Sequence, residues 1–214
     1  MRVLVACEYS GKVREAFRAK GHDAWSCDLL PADDDSPYHI QGDVLNVLDK
    51  GWDLMVAHPP CTYLTVAGAR WLYHPDDKHL ATKDRRPHPD YPNRLQQRQE
   101  AIDFVQALMD APIPRIAIEN PVSMISSLIR PADQKVQPYH FGHLERKSTC
   151  FWLKNLPLLR HVTDLEAETM ALPPKERDRL HYLPPSPDRW KLRSETFQGI
   201  ADAMADQWGV LEWL

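Results

Sequence analysis

The first 28 residues spell strand, turn, helix, strand, and this order restricts the fold more than any other feature of the chain. Arg2 to Ala6 is rich in Val and Leu and reads as a buried strand. Ser10-Gly11 makes a turn, and Lys12 to Lys20 carries Val13, Ala16 and Phe17 at helical period before the helix stop Gly21. His22 to Cys27, ending in Asp28, is a second short strand. This is a βαβ opening, which predicts an α/β domain with a parallel sheet. A length of 214 residues suffices for one such domain with a full core, alone or with a small appendage.

His58-Pro59-Pro60-Cys61 is the second constraint. It ends the apolar run Trp52 to Ala57, which reads as a strand. Two prolines offer no N–H to a sheet, so the chain must leave it there on a stiff turn. That turn carries a thiol at the C-terminal edge of a strand, where open α/β sheets bind ligands. Between the two features, the segment from Ile40 to Leu48 holds Gly42-Asp43-Val44. Residues 66–94 are polar and Pro-rich, and connections of that length are active-site lids or disordered. Leu95 to Met109 is a helix, with Leu95, Ile102, Val105 and Met109 on one face. Arg115 to Ile118 is a strand, expected to be capped by Glu119-Asn120-Pro121 as the earlier one is by its Pro-Pro turn. The pattern weakens from 122 to 193, apart from a strand at Cys150 to Leu153. Phe197, Ile200, Ala201, Met204 and Trp208 define a last helix.

Composition excludes several classes. A net charge of −4 rules out a generally basic nucleic-acid coat, though a local basic face remains open. The four cysteines form no C-x-x-C pair, so a reducing cytoplasm is the expected setting and a disulfide framework is not. The N-terminus is too soon interrupted by Glu8 for a signal peptide, and no stretch approaches the ~18 apolar residues of a membrane span. The ten histidines show no metal-binding spacing, so no metal site is expected. A zinc deaminase would need Pro-Cys-x-x-Cys, and position 64 is Leu. Basic residues in 66–94 are diluted by Asp76, Asp77, Asp84 and Asp90, which favours a solvated loop. The segment with Lys175, Arg177, Arg179, Arg189, Lys191 and Arg193 is a better candidate for phosphate contact, with Trp190 able to stack or pack.

Three acids follow apolar segments: Asp28, Asp43 and Glu119. Each alone is simply a polar loop residue. Together with the Ser10-Gly11 turn and the cysteine they suit a nucleoside-containing cofactor, with the turn allowing close backbone approach and an acid after the second strand accepting ribose hydroxyls. His58 is read as a cap or loop hydrogen bond rather than a catalytic group.

These residues, in this order, resemble the cytosine C5 methyltransferases, which use S-adenosylmethionine. Pro59-Pro60-Cys61-Thr62 is similar to that family's Pro-Cys nucleophile motif, and Glu119-Asn120-Pro121 to its Glu-Asn-Val motif. Val3 to Phe17 stands in place of its glycine-rich cofactor loop, with one glycine, Gly11. Asp28 and Asp43 match its second and third cofactor motifs. Arg146-Lys147-Ser148-Thr149 resembles its basic motif, and Ser194 to Ile200, containing Gly199, its last motif. About 40 residues separate those two, where the family reads its target, and the compactness resembles phage or prophage members.

The resemblance implies a Rossmann-like fold with a small irregular insertion. Residues 1–121 and 194–214 would bind cofactor and catalyse, and 122–193 would be a reduced recognition region continuous with that core. It implies Cys61 as the thiolate attacking cytosine C6, Glu119 on the N3 and amino edge, and Arg146 or Lys147 on the O2 side. Glu119 would have to hold a proton for part of the cycle, which burial favours. Glu8, Tyr9, Ser10, Gly11, Asp28, Leu29, Asp43, Val44, Pro59 and Gly199 would line the S-adenosylmethionine site. The expected substrate is cytosine flipped from duplex DNA. A free pyrimidine nucleotide or a single strand is the alternative, and a catalytically silent nucleotide-binding protein is the rival from another class.

Overall fold

The computed structural model describes residues 1–210, so the last four positions of the 194–214 segment lie outside the described residues. Seven strands form one sheet: β1 (Arg2–Ala6), β2 (Asp23–Asp28), β3 (His39–Gln41), β4 (Leu54–Ala57), β5 (Arg115–Pro121), β6 (Gln134–Val136) and β7 (Thr149–Lys154). Their order across the sheet is β3-β2-β1-β4-β5-β7-β6. The five from β3 to β5 are parallel, whereas β7 runs antiparallel to both β5 and β6. The helices are α1 (Lys12–Ala19), α2 (Arg94–Met109), α3 (Ile125–Leu128), α4 (Glu166–Ala171), α5 (Pro174–Arg177), α6 (Arg179–Tyr182), α7 (Arg189–Ser194) and α8 (Gln198–Trp208). The chain is a Rossmann-like α/β fold.

Strand alternation divides the core between the two faces of the sheet. Val3, Val5, Leu54, Val56, Ala117 and Phe151 point to one face, where α1 and α8 lie side by side. Val13 and Phe17 of α1 and Ala201, Met204 and Trp208 of α8 complete that layer. Leu4, Ala6, Met55, Ala57, Ile116, Ile118 and Trp152 point to the other face, under Ile102, Val105 and Leu108 of α2. Both faces are covered, which is why the parallel strands read as continuous apolar runs. Trp208 is fully buried, and truncating a side chain of that size costs about 3–5 kcal/mol.

Three details differ from the sequence reading. Glu119, Asn120 and Pro121 do not cap β5; they continue it. β4 stops pairing at Ala57–Ile118, but β7 keeps pairing on the other side, at Glu119–Phe151, Asn120–Cys150 and Pro121–Thr149. Residues 66–94 are neither disordered nor featureless. They form three short 3-10 turns at Val66–Trp71, Pro75–His79 and Thr82–Asp84. A cluster of Trp71, His88 and Tyr91 rings and a buried Asp77 carboxylate bound to Arg86 fix them. Finally, the buried face of α2 ends on Leu108, with Leu95 and Met109 only half-buried.

Candidate active site

The strand order reverses between β1 and β4. The connection after β1 enters α1 on one face, and the chain after β4 reaches α2 on the other. Such a switch point leaves a crevice outside the carboxyl ends of the two strands. A cleft of about 110 Å3 lies there, walled by residues 7–10 after β1, 58–61 after β4, 119–121 of β5, Lys147, and 193–196 at the end of α7 and just beyond it.

The thiol is placed by its neighbours. The His58 N–H donates to the Ala6 carbonyl at 2.9 Å, the last rung between β4 and β1. Pro59 and Pro60 then turn the chain out. The Asn120 side-chain amide, buried, donates to the Pro59 carbonyl at 2.8 Å and locks that turn to β5. The Leu64 and Thr65 N–H groups both donate to the Cys61 carbonyl at 3.0 Å, closing the next turn. Burial pushes the Cys61 thiol above its ordinary pKa and the Glu119 charge adds to this, while Lys147 and Arg193 oppose it.

Glu119 faces the same cleft. His58 Nδ1 lies 3.1 Å from Glu119 Oε2, and the two side chains are only 10% and 12% exposed. Burial alone would raise the Glu119 carboxyl, but the His58 hydrogen bond and charge, Lys147 and Thr149 together hold it below its ordinary value. The sequence argument considered only the burial; in this arrangement the carboxylate is the favoured form. His58 therefore does make a hydrogen bond, as read from sequence, but to the central carboxylate of the cleft. Burial lowers the Lys147 ammonium, and Glu119 and Cys61 partly restore it. Lys147 Nζ also donates to the Glu195 carbonyl at 3.1 Å. Arg146 does not join them. Its guanidinium makes two bonds to Asp178, at 2.7 and 3.1 Å, outside the cleft lining.

The β1–α1 turn is unusual. Cys7 has a φ of 59°, and its N–H donates to the Cys27 carbonyl at 2.7 Å. A cysteine thus adopts the left-handed conformation that glycine adopts without strain. Gly11 at φ 73° precedes α1 and has no side chain to cap it. Glu8 does so instead, accepting the Val13 N–H at 2.7 Å and the Arg14 N–H at 3.1 Å. A Cβ on Gly11 would lie 2.3 Å from the Arg14 guanidinium. Arg14 is fully buried, and pairs with Glu15 at 2.8 Å, with Ser26 Oγ at 2.8 Å and with Asp34. Ser26 in turn meets His39 at 2.8 Å, and His39 meets the Leu30 carbonyl at 2.9 Å. The connection from β2 to β3 is thereby held from beneath.

The other predicted cofactor residues are dispersed along this edge. Asp28 ends β2 and accepts the Leu30 N–H at 2.9 Å, and Asp43 accepts the Leu45 N–H at 3.0 Å. Both carboxylates reinforce the effect of burial in raising the Cys7 thiol, but neither lines the cleft. Leu29 is 72% exposed, whereas the Val44 side chain belongs to the core. Tyr9, Ser10 and Pro59 line the cleft, and Gly199 does not. Gly199 opens α8, donates its N–H to His143 at 2.9 Å and packs so closely that a Cβ would meet the Phe141 carbonyl oxygen at 1.8 Å.

The likeness of Ser194 to Ile200 to a last motif brought this segment toward the site, but not the contacts that hold the end of α7 there. Tyr9 Oη lies 3.1 Å from Ser194 Oγ, Lys12 pairs with Glu195 at 2.6 Å, and Lys191 with Asp33 at 3.3 Å. The Trp190 ring tilts over Tyr9, with centroids 5.7 Å apart. This strap brings Arg193 to Thr196 over the cleft. Elsewhere among the described residues, His140, Asp164 and Glu166 each place a donor atom within 4.8 Å of the others. The two acids already accept the Glu166 N–H at 3.1 Å and the Tyr139 hydroxyl at 3.3 Å.

No helix of the described residues is long and apolar enough to cross a membrane. No family model matches the chain, and no curated protein matches it. Among the solved structures that match is a prophage-encoded E. coli protein described provisionally as a DNA modification methyltransferase. It aligns over 72% of this chain and 46% of its own, at 13% identity and a TM-score of 0.44. This chain therefore spans about half the length of that structure.

Proposed function

We propose that this protein transfers a methyl group from S-adenosylmethionine to C5 of cytosine in DNA, through a bond between Cys61 Sγ and the base C6. The observation that carries this reading is the convergence of Cys61, Glu119 and Lys147 in one cleft at the switch point of the sheet. Each group answers a need of the chemistry. C5 of a pyrimidine is a weak nucleophile. Thiolate attack at C6 moves electron density onto C5. Glu119 would hold N3 and the exocyclic amine, and Lys147, rather than Arg146, would hold O2 and oppose the charge that builds there. The raised pKa of Cys61 fits a thiol that ionises on attack rather than one that rests as a thiolate.

The donor set also fits the cofactor. S-adenosylmethionine is a sulfonium that also bears an ammonium, hydroxyls and an amine, and it would supply an electrophilic methyl. Glu8 and Glu195 line the cleft, and Asp28 and Asp43, outside its lining, act electrostatically on Cys7 at its β1 end. Asp28 would take the ribose hydroxyls and Asp43 the adenine side, while the turn would accept close approach of the methionine part. Glu8 serves mainly by fixing the turn through α1. The segment from β7 to α7, part of the proposed 122–193 recognition region, would meet the nucleic acid.

Trapping tests the reading. A duplex carrying 5-fluorocytosine, incubated with cofactor, should leave a covalent adduct on the Cys61 peptide, and Cys61→Ser should leave none. Methylation by Cys61→Ser would remove the proposed nucleophile. A second substrate reading, a free pyrimidine nucleotide or a single strand, is favoured by the roughly 40 residues between Thr149 and Ser194, few for reading a duplex. Labelled cofactor offered with duplex, single strand and mononucleotide separates these by incorporation.

A further inference from the structure

His58 stands outside the roles assigned so far, yet its ring is hydrogen-bonded to Glu119. Its position is fixed on both sides. The backbone N–H completes the β4–β1 ladder, and two prolines follow. Its Nδ1 meets Glu119 Oε2 at 3.1 Å, while Nε2 is buried and has no hydrogen-bond partner. Burying an imidazole with one nitrogen unpaired is costly. The contact with Glu119 is what the position retains. The facing groups are Cys7, Glu8 and Tyr9 from the β1 turn, Glu119 from β5 and Lys147 before β7. Cys61 follows on its own turn, and Arg193 and Glu195 close from the strap. Glu8 and Glu119 both feel the imidazole charge.

The proposed reaction poses a problem that this pair resolves. An ionised Glu119 and the N3 lone pair of cytosine are both acceptors, so a proton must stand between them. We propose that His58 is the positioning residue that delivers this proton: the imidazolium gives its Nδ1 proton to Glu119 as the base enters, and takes it back at the end. The inference rests on the cytosine reading above.

The steps balance. The Nδ1–H bond breaks and the Oε2–H bond forms, turning an ion pair into a neutral one as the entering base excludes water. As Cys61 Sγ bonds to C6 its S–H bond breaks and that proton leaves to water; the C5=C6 pair shifts to C4–C5, the C4=N3 pair moves onto N3, and N3 takes the Glu119 proton. After methyl transfer the C5 proton leaves to water and the C6–S bond breaks. The N3 proton then returns through Glu119 to His58. Imidazole is suited to this because it exchanges a proton near neutral pH.

His58→Asn keeps an N–H that can bond Glu119 but has no proton to transfer. The expected result is unchanged duplex affinity within about twofold, with single-turnover methyl transfer down ~100-fold, the usual scale of a general acid. The pH profile of single-turnover transfer should also differ in form from that of the wild type. In the absence of cofactor, difference infrared spectra on adding the fluorocytosine duplex should show a new protonated-carboxyl band. That band should vanish in both Glu119→Gln and His58→Asn. A wild-type Cys61 adduct accompanied by an unaltered rate and pH profile in His58→Asn would overturn this inference alone. Absence of any wild-type adduct would overturn the cytosine reading and this inference with it.

Discussion

The side-chain amide of Asn120 donates to the Pro59 carbonyl at 2.8 Å, and this buried bond joins the turn that carries the thiol to the strand that carries the carboxylate. Neither proline of the turn can donate to the sheet, so this is the tie that sets how far Cys61 stands from Glu119. Asn120→Ala leaves a buried carbonyl unpaired. It should lower unfolding stability by about 1–3 kcal/mol, and slow the trapping of Cys61 more than it weakens duplex binding. Denaturant titration and adduct kinetics on the same preparation measure both. Unchanged values in the two would show that the turn holds itself.

Charge around Cys61 gives a second prediction. Burial and the Glu119 charge raise its pKa, while Lys147 and Arg193 lower it. Removing the carboxylate with Glu119→Gln should therefore increase the thiolate fraction at pH 8 and speed alkylation by iodoacetamide roughly three- to tenfold. Lys147→Met should slow it. Mass spectrometry of the Cys61 peptide reads this site apart from buried Cys27 and Cys150. Equal rates in all three proteins would mean the cleft groups do not sense the thiol.

Acid should loosen the 66–94 segment. The Arg86 side chain and backbone hold the Asp77 carboxyl well below the usual carboxylate range, with bonds of 2.6, 2.8 and 3.0 Å. The folded carboxyl ionises at lower pH than the unfolded one. Its contribution is therefore complete above the unfolded value of about 3.9 and fades as the pH falls toward the folded value. Hydrogen exchange across residues 72–88 should accelerate on passing from pH 5 to pH 2.5, beyond the intrinsic pH effect. Asp77→Asn should exchange fast throughout and respond less to acid.

Much of this architecture could be read from the residues. β1, α1, β2, β4, α2 and α8 announce themselves because each buries a long apolar run or stripe. β3 and β6 do not: they are three residues each, His-Ile-Gln and Gln-Lys-Val, and exist because a neighbour offers its ladder. The pairing of Cys61 with Glu119 is legible through the likeness of their two motifs to one family. The contact of His58 with Glu119 is not, since it spans 61 positions and depends on β5 continuing past its apolar part. Arg146 and Lys147 are adjacent in sequence and differ only in the direction the backbone gives them.

Gly199 offers a direct test of sequence likeness against packing. Its backbone approaches the Phe141 carbonyl too closely for any side chain. Gly199→Ala should destabilise the protein by about 1–3 kcal/mol, the range for overpacking, in the absence of cofactor. Thermal unfolding with and without saturating S-adenosylmethionine separates the cases. A loss present only with cofactor would restore the glycine to the binding site.

The guanidinium of Arg14 has one more consequence. It has no exposed surface, yet holds Ser26 of β2 and Asp34 of the connection that follows it. The connection from β2 to β3 looks like a surface loop, but it cannot lift away without stranding that cation inside the protein. Its amides should therefore exchange with solvent only when the whole domain opens, as core strands do, rather than through local breathing. The rim nearest the acidic end of the cleft would then be among the most rigid parts of the molecule, so any adjustment to a ligand would fall to the strap on the opposite side.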